Sequence, residues 1–151
     1  KQEDFYKNSN SKSFNWMKDI NKVGTITNLD KEVEKFITND EIKRYTKLKF
    51  RNFAKNIKIV AHVSELRHFH DSVIDITIEL NKYNKSLDIY YGIFLFSFSP
   101  PLSVNLTSNE DYSMTFPIAG SSEQIKTRIK ESIDLVIEKF ASDYYYMKDL
   151  K

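Results

Sequence analysis

The sequence predicts an α+β fold: a single mixed, mostly antiparallel sheet of four to five strands with two helices packed on one face. Three observations support this prediction. Residues 88–99 form the most apolar run of the chain and are rich in the aromatic and β-branched residues that favour strands. Residues 74–80 alternate between apolar and polar side chains, which is typical of a strand with one buried face. Residues 122–147 carry an apolar stripe at helical spacing.

The composition is that of an ordinary globular chain without cysteine chemistry. Its 151 residues suit one domain, and the balance of 40% hydrophobic to 29% charged residues excludes a disordered chain. The absence of cysteine excludes disulfides, thiolate metal ligands and a cysteine nucleophile. A formal net charge of +2 is too balanced to indicate an anionic partner by itself. We expect residues 1–22 to form a partly mobile N-terminal arm and residues 23–151 to form a single α+β domain.

The N-terminal region combines a polar start with an apolar second half. Because the chain opens at Lys1 and not at a methionine, we expect that residues have been removed before it, by signal cleavage or by truncation. No run of residues approaches the roughly 18–20 apolar positions that span a bilayer. The apolar second half of the arm should dock on the domain or on a neighbour. Its large side chains are Phe14, Trp16, Met17 and Ile20.

The first helix is predicted to begin at Thr38. The Thr38 side chain can accept a hydrogen bond from the third helical residue while Glu41 reaches back, and Ile37 with Ile42 can form a hydrophobic staple. The helix should end near residues 55–56. Its apolar stripe is expected at Ile42, Tyr45, Leu48 or Lys49, and Phe53.

One strand is predicted before this helix and four after it. A stretch rich in Val, Ile and Thr predicts the first strand at residues 23–29. The last strand contains Pro117, which places that strand at a sheet edge or marks its end. Short connections favour antiparallel neighbours. The four later strands are expected at residues 57–63, 74–80, 88–98 and 112–118.

The C-terminal helix is predicted over residues 122–147, behind a capping box at Ser121 and Gln124. At 1.5 Å per residue it is about 39 Å long. Residues 88–98 would span roughly 36 Å as a strand. Since the two lengths match, we expect the helix to cover one face of this central strand, in the element order β-α-β-β-β-β-α. The side chains assigned to the covered face are Ile89, Tyr91, Ile93 and Leu95.

The other face of the central strand is the candidate binding surface. If both helices take the face of Ile74, Ile76 and Ile78, the uncovered face carries a stripe of aromatic rings beside charged strands. Such a stripe is typical of a binding face or a dimer seam. Two alternatives remain: the N-terminal segment around Trp16 folds over the rings, or the sheet curls onto itself. The candidate binding residues are Tyr90, Phe94, Phe96 and Phe98.

No catalytic or metal site is predicted. The run from Arg67 to Asp71 places His68 and His70 on one side of a strand beside a carboxylate, but polar loop histidines are common and we assign no metal. Phosphate-binding loops and nucleophile elbows need glycines that this chain lacks. We therefore predict no enzymatic activity and no cofactor. Nucleic acid is not expected as a partner either, because no Lys/Arg-Gly-Phe run accompanies the aromatics.

One stretch of the sequence resembles a known group of proteins. The run Ile37-Thr38-Asn39-Asp40-Glu41-Ile42, leading into Lys47-Leu48-Lys49-Phe50-Arg51, resembles the helix of small uncharacterised bacterial envelope proteins, where strands and a long C-terminal helix follow. Lys47 stands where an acidic residue is usual. The element order is also distantly similar to α+β domains of periplasmic assembly factors, such as the TolB N-terminal domain and the lipopolysaccharide-assembly lipoproteins. The resemblance implies a periplasmic or envelope-associated domain that binds proteins or lipid-linked partners and catalyses nothing.

These observations predict a non-enzymatic bacterial envelope domain that acts by protein–protein contact. The contact would use the aromatic sheet face or a strand edge, and the partner would be another protein or a second copy of the chain. The alternative is a small apolar ligand or lipid, bound between the long C-terminal helix and the sheet near Tyr91 and Phe140.

Overall fold

A computed structural model of the chain describes residues 14–67, 70–101, 103 and 111–149. Within these residues one five-stranded mixed sheet and three α-helices are present, which confirms the predicted α+β class with its long C-terminal helix. The strands are β1 (Lys22–Leu29), β2 (Lys58–Ile59), β3 (Ser72–Lys82), β4 (Tyr90–Ser99) and β5 (Tyr112–Gly120). The helices are α1 (Lys31–Glu34), α2 (Asn39–Phe53) and α3 (Ser122–Asp149).

The strand order is β2-β1-β3-β4-β5, so β2 and β5 form the two edges of the sheet. β3, β4 and β5 are antiparallel neighbours, as their short connections predict. β1 instead runs parallel to both β2 and β3. A parallel pair needs a crossover connection, which α1 and α2 supply between β1 and β2. The strand expected at residues 57–63 is only two residues long and is followed by a 3₁₀ turn at Val63–Glu65.

The register between β3 and β4 decides which face of the sheet is buried. Ile76 lies opposite Phe96, and the pairs on either side join Ile74 to Phe98 and Ile78 to Phe94. Directly opposite residues of an antiparallel pair point to the same side of the sheet. The phenylalanines therefore share a face with the isoleucines, and this face is the one that the helices cover.

The expected assignment of faces on the central strand is therefore wrong. The four rings expected in the open, Tyr90, Phe94, Phe96 and Phe98, are all buried. Ile89, Tyr91 and Ile93, expected under the helix, are 46%, 49% and 36% exposed. Both faces of this strand are apolar in sequence, so periodicity alone could not orient it, and a one-residue shift in register exchanges the two faces.

α3 packs on the aromatic face of the sheet. Gln124 Oε1 accepts a hydrogen bond from the Ser121 amide at 3.0 Å, which confirms the reaching-back half of the predicted capping box. Asp88 caps the same end, because the Ser122 hydroxyl donates to its carboxylate at 2.8 Å. The buried stripe of the helix includes Ile125, Ile129, Ile133, Val136, Ile137, Phe140, Ala141 and Tyr144.

α2 begins as predicted but buries a different stripe. The Thr38 hydroxyl accepts a hydrogen bond from the Glu41 amide at 3.2 Å, the capping contact that the sequence indicates. Leu48 and Phe53, both expected on the inner side, are 47% and 38% exposed. The buried residues instead recur at every fourth position. One of them is Thr46, and because threonine is polar, the sequence pattern did not indicate that it lies in the core. The buried residues of α2 are Ile42, Thr46 and Phe50.

The segment before β1 closes one end of the core. It forms a 3₁₀ turn at Asn15–Asp19, and the Trp16 ring lies 5.7 Å from that of Phe98. The Tyr144 hydroxyl of α3 donates to the Ile20 carbonyl at 3.3 Å and ties the segment down. The segment thus contacts Phe98 at one end of the strand, but the helices cover the aromatic face, so the alternative in which the segment covers an otherwise open face of rings is not what the structure contains. Residues 1–13 of the partly mobile arm expected at residues 1–22 lie outside the described residues.

Candidate functional site

The open face of the sheet carries a mixture of polar and apolar side chains. Among its described strand residues Tyr91 is the one aromatic ring, and Ile26 and Ile93 are each 36% exposed. Asp75 and Glu79 share this face. A contact surface built from an aromatic stripe is therefore absent from the described part of this face.

A concave surface lies instead between β5 and α3. This edge groove has a volume of about 1000 Å³. Its apolar side chains come from three separate segments: Phe14 precedes β1, Met114 and Phe116 belong to β5, and Leu135 projects from α3. Leu135 is 55% exposed at the rim of the groove. Small-ligand pockets fall between about 300 and 1,000 Å³, so the groove is at the upper end of that range.

One wall of the edge groove is a strand edge with which no further strand pairs in the described part of the chain. β5 is the last strand of the sheet, and within the described residues it pairs with β4 alone. An edge strand presents backbone donors and acceptors that another strand can complete. Pro117 removes one donor from β5, and the prediction that its strand lies at a sheet edge is confirmed. The groove therefore offers apolar side chains and backbone hydrogen-bonding groups side by side.

The floor of the edge groove is held by packed rings. The Tyr112 ring meets Phe140 edge-on with centroids 5.5 Å apart, and Phe14 meets Tyr112 edge-on at 6.0 Å. Below them Phe94 contacts Phe116, with centroids 6.3 Å apart. A surface that is already packed loses little conformational entropy when a partner binds to it.

A buried carboxylate anchors the same floor. Asp143 of α3 is only 1% exposed, and its carboxylate accepts a hydrogen bond from the Tyr112 hydroxyl. Lys139 Nζ lies 3.5 Å from the same carboxylate and supplies a counter-charge at the rim. Burying a carboxylate is tolerable only when such partners are present. We assign Asp143 a structural role, which is to hold β5 against α3.

The groove lies between the C-terminal helix and the sheet, where the alternative of a small ligand was expected, but not beside the residues named for it. That site was expected near Tyr91 and Phe140, but Tyr91 lies on the open face and Phe140 lies in the core. The residues that do line the groove were missed. One signal was available in the sequence: Leu135 is an apolar residue on the otherwise charged outer side of the C-terminal helix.

The last candidate is the loop that contains the histidines, and its carboxylate, that of Asp71, has a structural role. Asp71 accepts a hydrogen bond from the Arg67 amide at 2.7 Å, and the His70 amide donates to the Arg67 carbonyl at 2.7 Å. The carboxylate thus closes a turn. His68 lies outside the described residues. Among the residues that are described, no three His, Asp or Glu side chains are grouped so as to hold a metal ion. The described helices also include none that is long and apolar enough to cross a membrane.

Comparison with known proteins identifies the fold class and no family. No protein-family model matches the chain, and no curated protein matches it. A PelC variant from Paraburkholderia phytofirmans, described as a dodecamer, superposes with a TM-score of 0.54 at 14% identity, over 81% of this chain and 90% of that chain. At this identity the likeness shows a shared α+β fold.

Proteins described as lipoproteins are also among the similar structures. A minor lipoprotein from Acinetobacter baumannii has a TM-score of 0.44 at 11% identity, over 83% of this chain and 91% of its own. The rare lipoprotein B from Shewanella oneidensis has a TM-score of 0.42 at 12% identity, over 85% and 96%.

Proposed function

We propose that this protein is a non-enzymatic bacterial envelope domain that assembles with further copies of itself, and that the edge groove is the contact surface. The observation that carries the proposal is the combination of an edge strand with an apolar groove, rimmed by the exposed Leu135. Apolar surface of this kind marks interaction sites on soluble domains.

Self-assembly is favoured over a foreign partner because of the fold shared with the PelC variant, which is described as a dodecamer. An assembly of more than two identical copies needs at least two contact surfaces on each copy. The edge groove would supply one of these surfaces. The open edge of β5 would then be covered in the assembly, which removes its tendency to aggregate.

The test is the molar mass of the purified protein by size-exclusion chromatography with light scattering, over a range of concentrations. We expect the wild type to be larger than a monomer and Leu135→Lys to be shifted toward the monomer. Leu48→Lys is the matched control, because Leu48 is 47% exposed on α2 and does not line the groove. A wild type that stays monomeric at every concentration would contradict the proposal, and so would equal dissociation in both variants.

A second candidate function is the binding of a small apolar ligand or lipid in the same groove. Its volume of about 1000 Å³ and its position between the C-terminal helix and the sheet favour this alternative. Native mass spectrometry of the purified protein should then show an added mass that organic extraction removes. Leu135→Lys should reduce the bound fraction. A monomer without added mass, which also takes up no fatty acid when mixed with it, would exclude this candidate.

A further inference from the structure

A second concave site lies at the opposite edge of the sheet. This cavity has a volume of about 320 Å³, is open to solvent on one side, and lies between α2, β1 and residues 59–61 at the end of β2. One wall consists of the side of α2 that carries Lys43, Arg44 and Lys47. Residues three and four apart share one side of a helix, so these three basic side chains line the cavity from the α2 side, with Arg44 and Lys47 also reaching solvent. The opposite wall contains Thr25 of β1 and the apolar residues Ile59 to Ala61.

The cavity is also lined by a buried polar side chain, that of Thr25. The side chain is only 5% exposed, and its hydroxyl has no hydrogen-bond partner in the described part of the chain. A buried hydroxyl without a partner destabilises a fold, because its hydrogen bonds to water are lost and not replaced. Such groups call for an explanation, and an absent ligand is one of the recognised explanations. Thr25 lines the cavity, but its hydroxyl oxygen is itself almost inaccessible, so a bound ligand contacts it only once the side chain turns toward the cavity.

The charges on the cavity select an anion. Three cationic side chains line it against a single carboxylate, that of Asp40. Within the described residues, no ion pair joins Lys43, Arg44 or Lys47 to an acidic side chain. Cations at spacings of three and four repel one another unless a counter-charge lies between them. A bound anion would relieve this repulsion and also accept the hydrogen bond that Thr25 can donate.

The geometry points to a binding site for a phosphate group in this cavity. A phosphate has several acceptor oxygens, so it can bind lysine ammonium groups, the guanidinium of Arg44 and the Thr25 hydroxyl together. The apolar wall from Ile59 to Ala61 can contact an apolar group to which the phosphate is attached. This site lies beside β2, whereas the edge groove lies beside β5 at the other end of the sheet, so the two inferences are independent.

The test is titration of the protein with inorganic phosphate, followed by calorimetry and by amide NMR shifts, at constant ionic strength with chloride as the other anion. We expect saturable binding with shifts centred on α2 and β2. Lys47→Gln should weaken binding about tenfold, the effect of losing one charged hydrogen bond. Thr25→Val should weaken it too while keeping or raising the stability of the fold, because valine removes the unpaired hydroxyl. Arg128→Gln is the control and should bind as the wild type does, since Arg128 lies on α3 and its partner is Glu131.

Three outcomes would overturn the proposal. Phosphate could produce no more change than chloride does. Arg128→Gln could weaken binding as much as Lys47→Gln does, which would show non-specific attraction. Thr25→Val could bind with unchanged affinity, which would remove the hydroxyl from the site. Co-sedimentation with phosphatidylglycerol vesicles, compared with phosphatidylcholine vesicles, then separates a lipid headgroup from a free phosphate as the source of the bound group. Leu135→Lys should bind phosphate as the wild type does even if it no longer self-assembles, because Leu135 lies in the edge groove and not in this cavity.

Discussion

The rings of Phe98 and Phe140 lie stacked, with centroids 4.7 Å apart and planes inclined by 12°. Phe98 belongs to β4 and Phe140 to α3, so this stack joins the central strand to the C-terminal helix. Tyr144 continues it on the helix side, with its ring centroid 5.9 Å from that of Phe140. The stack places the aromatic rings of β4 inside the core and leaves the opposite face of the strand exposed.

Phe98→Ala should therefore destabilise the domain strongly. Both rings of the stack are fully buried, and removing a buried phenylalanine ring costs about 3–5 kcal/mol because a cavity remains. Denaturation with urea measures the change in the free energy of unfolding. Tyr91→Ala on the same strand is the control and should change it by about 0.5 kcal/mol or less, since Tyr91 faces the open side. Equal effects of the two substitutions would mean that the faces of β4 are assigned wrongly.

The elements with a distinctive local pattern could be predicted from sequence. The C-terminal helix has a single apolar stripe and a capping glutamine, and α2 has a capping threonine, so both helices begin where expected. The orientation of β4 could not be predicted, because it depends on the register with β3 and both faces of β4 are apolar. The parallel pairing of β1 depends on two distant strands and leaves no local signal.

The candidate sites were less predictable than the fold, for a related reason. The edge groove joins Phe14, Met114 and Leu135, which are far apart in sequence and come together only when α3 packs beside β5. The cationic side of α2 is visible in sequence as three nearby basic residues. Nothing in sequence indicates that Thr25 lies across from them with an unpaired hydroxyl.

Asp30→Ala should loosen the connection between α1 and the sheet. One carboxylate oxygen of Asp30 accepts a hydrogen bond from the Val33 amide at 3.0 Å, and the other accepts one from the Leu80 amide at 2.8 Å. Loss of the helix cap costs about 1 kcal/mol. The Leu80 amide then loses its acceptor, which adds about 1–3 kcal/mol.

The free energy of unfolding of three proteins, wild type, Asp30→Ala and Asp30→Asn, tests this double role. Asparagine keeps one acceptor oxygen, so Asp30→Asn should fall between the other two. If Asp30→Asn is as stable as the wild type, the second hydrogen bond contributes nothing. If it is as unstable as Asp30→Ala, the cap and the link to β3 act only as a pair.

Gly92→Ala should be more damaging than Gly24→Ala. A Cβ atom at position 92 would overlap the backbone carbonyl oxygen of Glu79 on β3, so the two strands would have to separate. At position 24 the added Cβ would lie 2.5 Å from Leu66 Cδ1, and that side chain can rotate away. Overpacking of the second kind costs about 1–3 kcal/mol, so Gly92→Ala should exceed this range. Thermal unfolding of both variants would check the order, and a milder effect at position 92 would contradict the β3–β4 register.

Asp75→Asn should stabilise the domain near neutral pH. Asp75 lies on the open face but its side chain is partly buried, and this burial raises its pKa above the ordinary value of 3.8. The nearby negative charge of Asp111 raises the pKa further by a smaller amount. A carboxyl whose pKa is higher in the folded than in the unfolded state binds its proton more tightly when folded. Its ionisation therefore destabilises the fold at high pH, and this penalty disappears as the pH falls through the raised pKa. Asparagine carries no charge and avoids the penalty.

The difference in unfolding free energy between Asp75→Asn and the wild type should consequently be positive at pH 7 and shrink as the pH approaches 3.8. We expect a small gain, about 0.5 kcal/mol or less, because Asp75 is still partly in contact with solvent. Glu79→Gln is the matched control, since Glu79 lies on the same strand and the same face but is exposed. It should change stability little at any pH. A gain in Asp75→Asn that persists unchanged below pH 3.8 would show that amide hydrogen bonding, and not the removed charge, stabilises the variant.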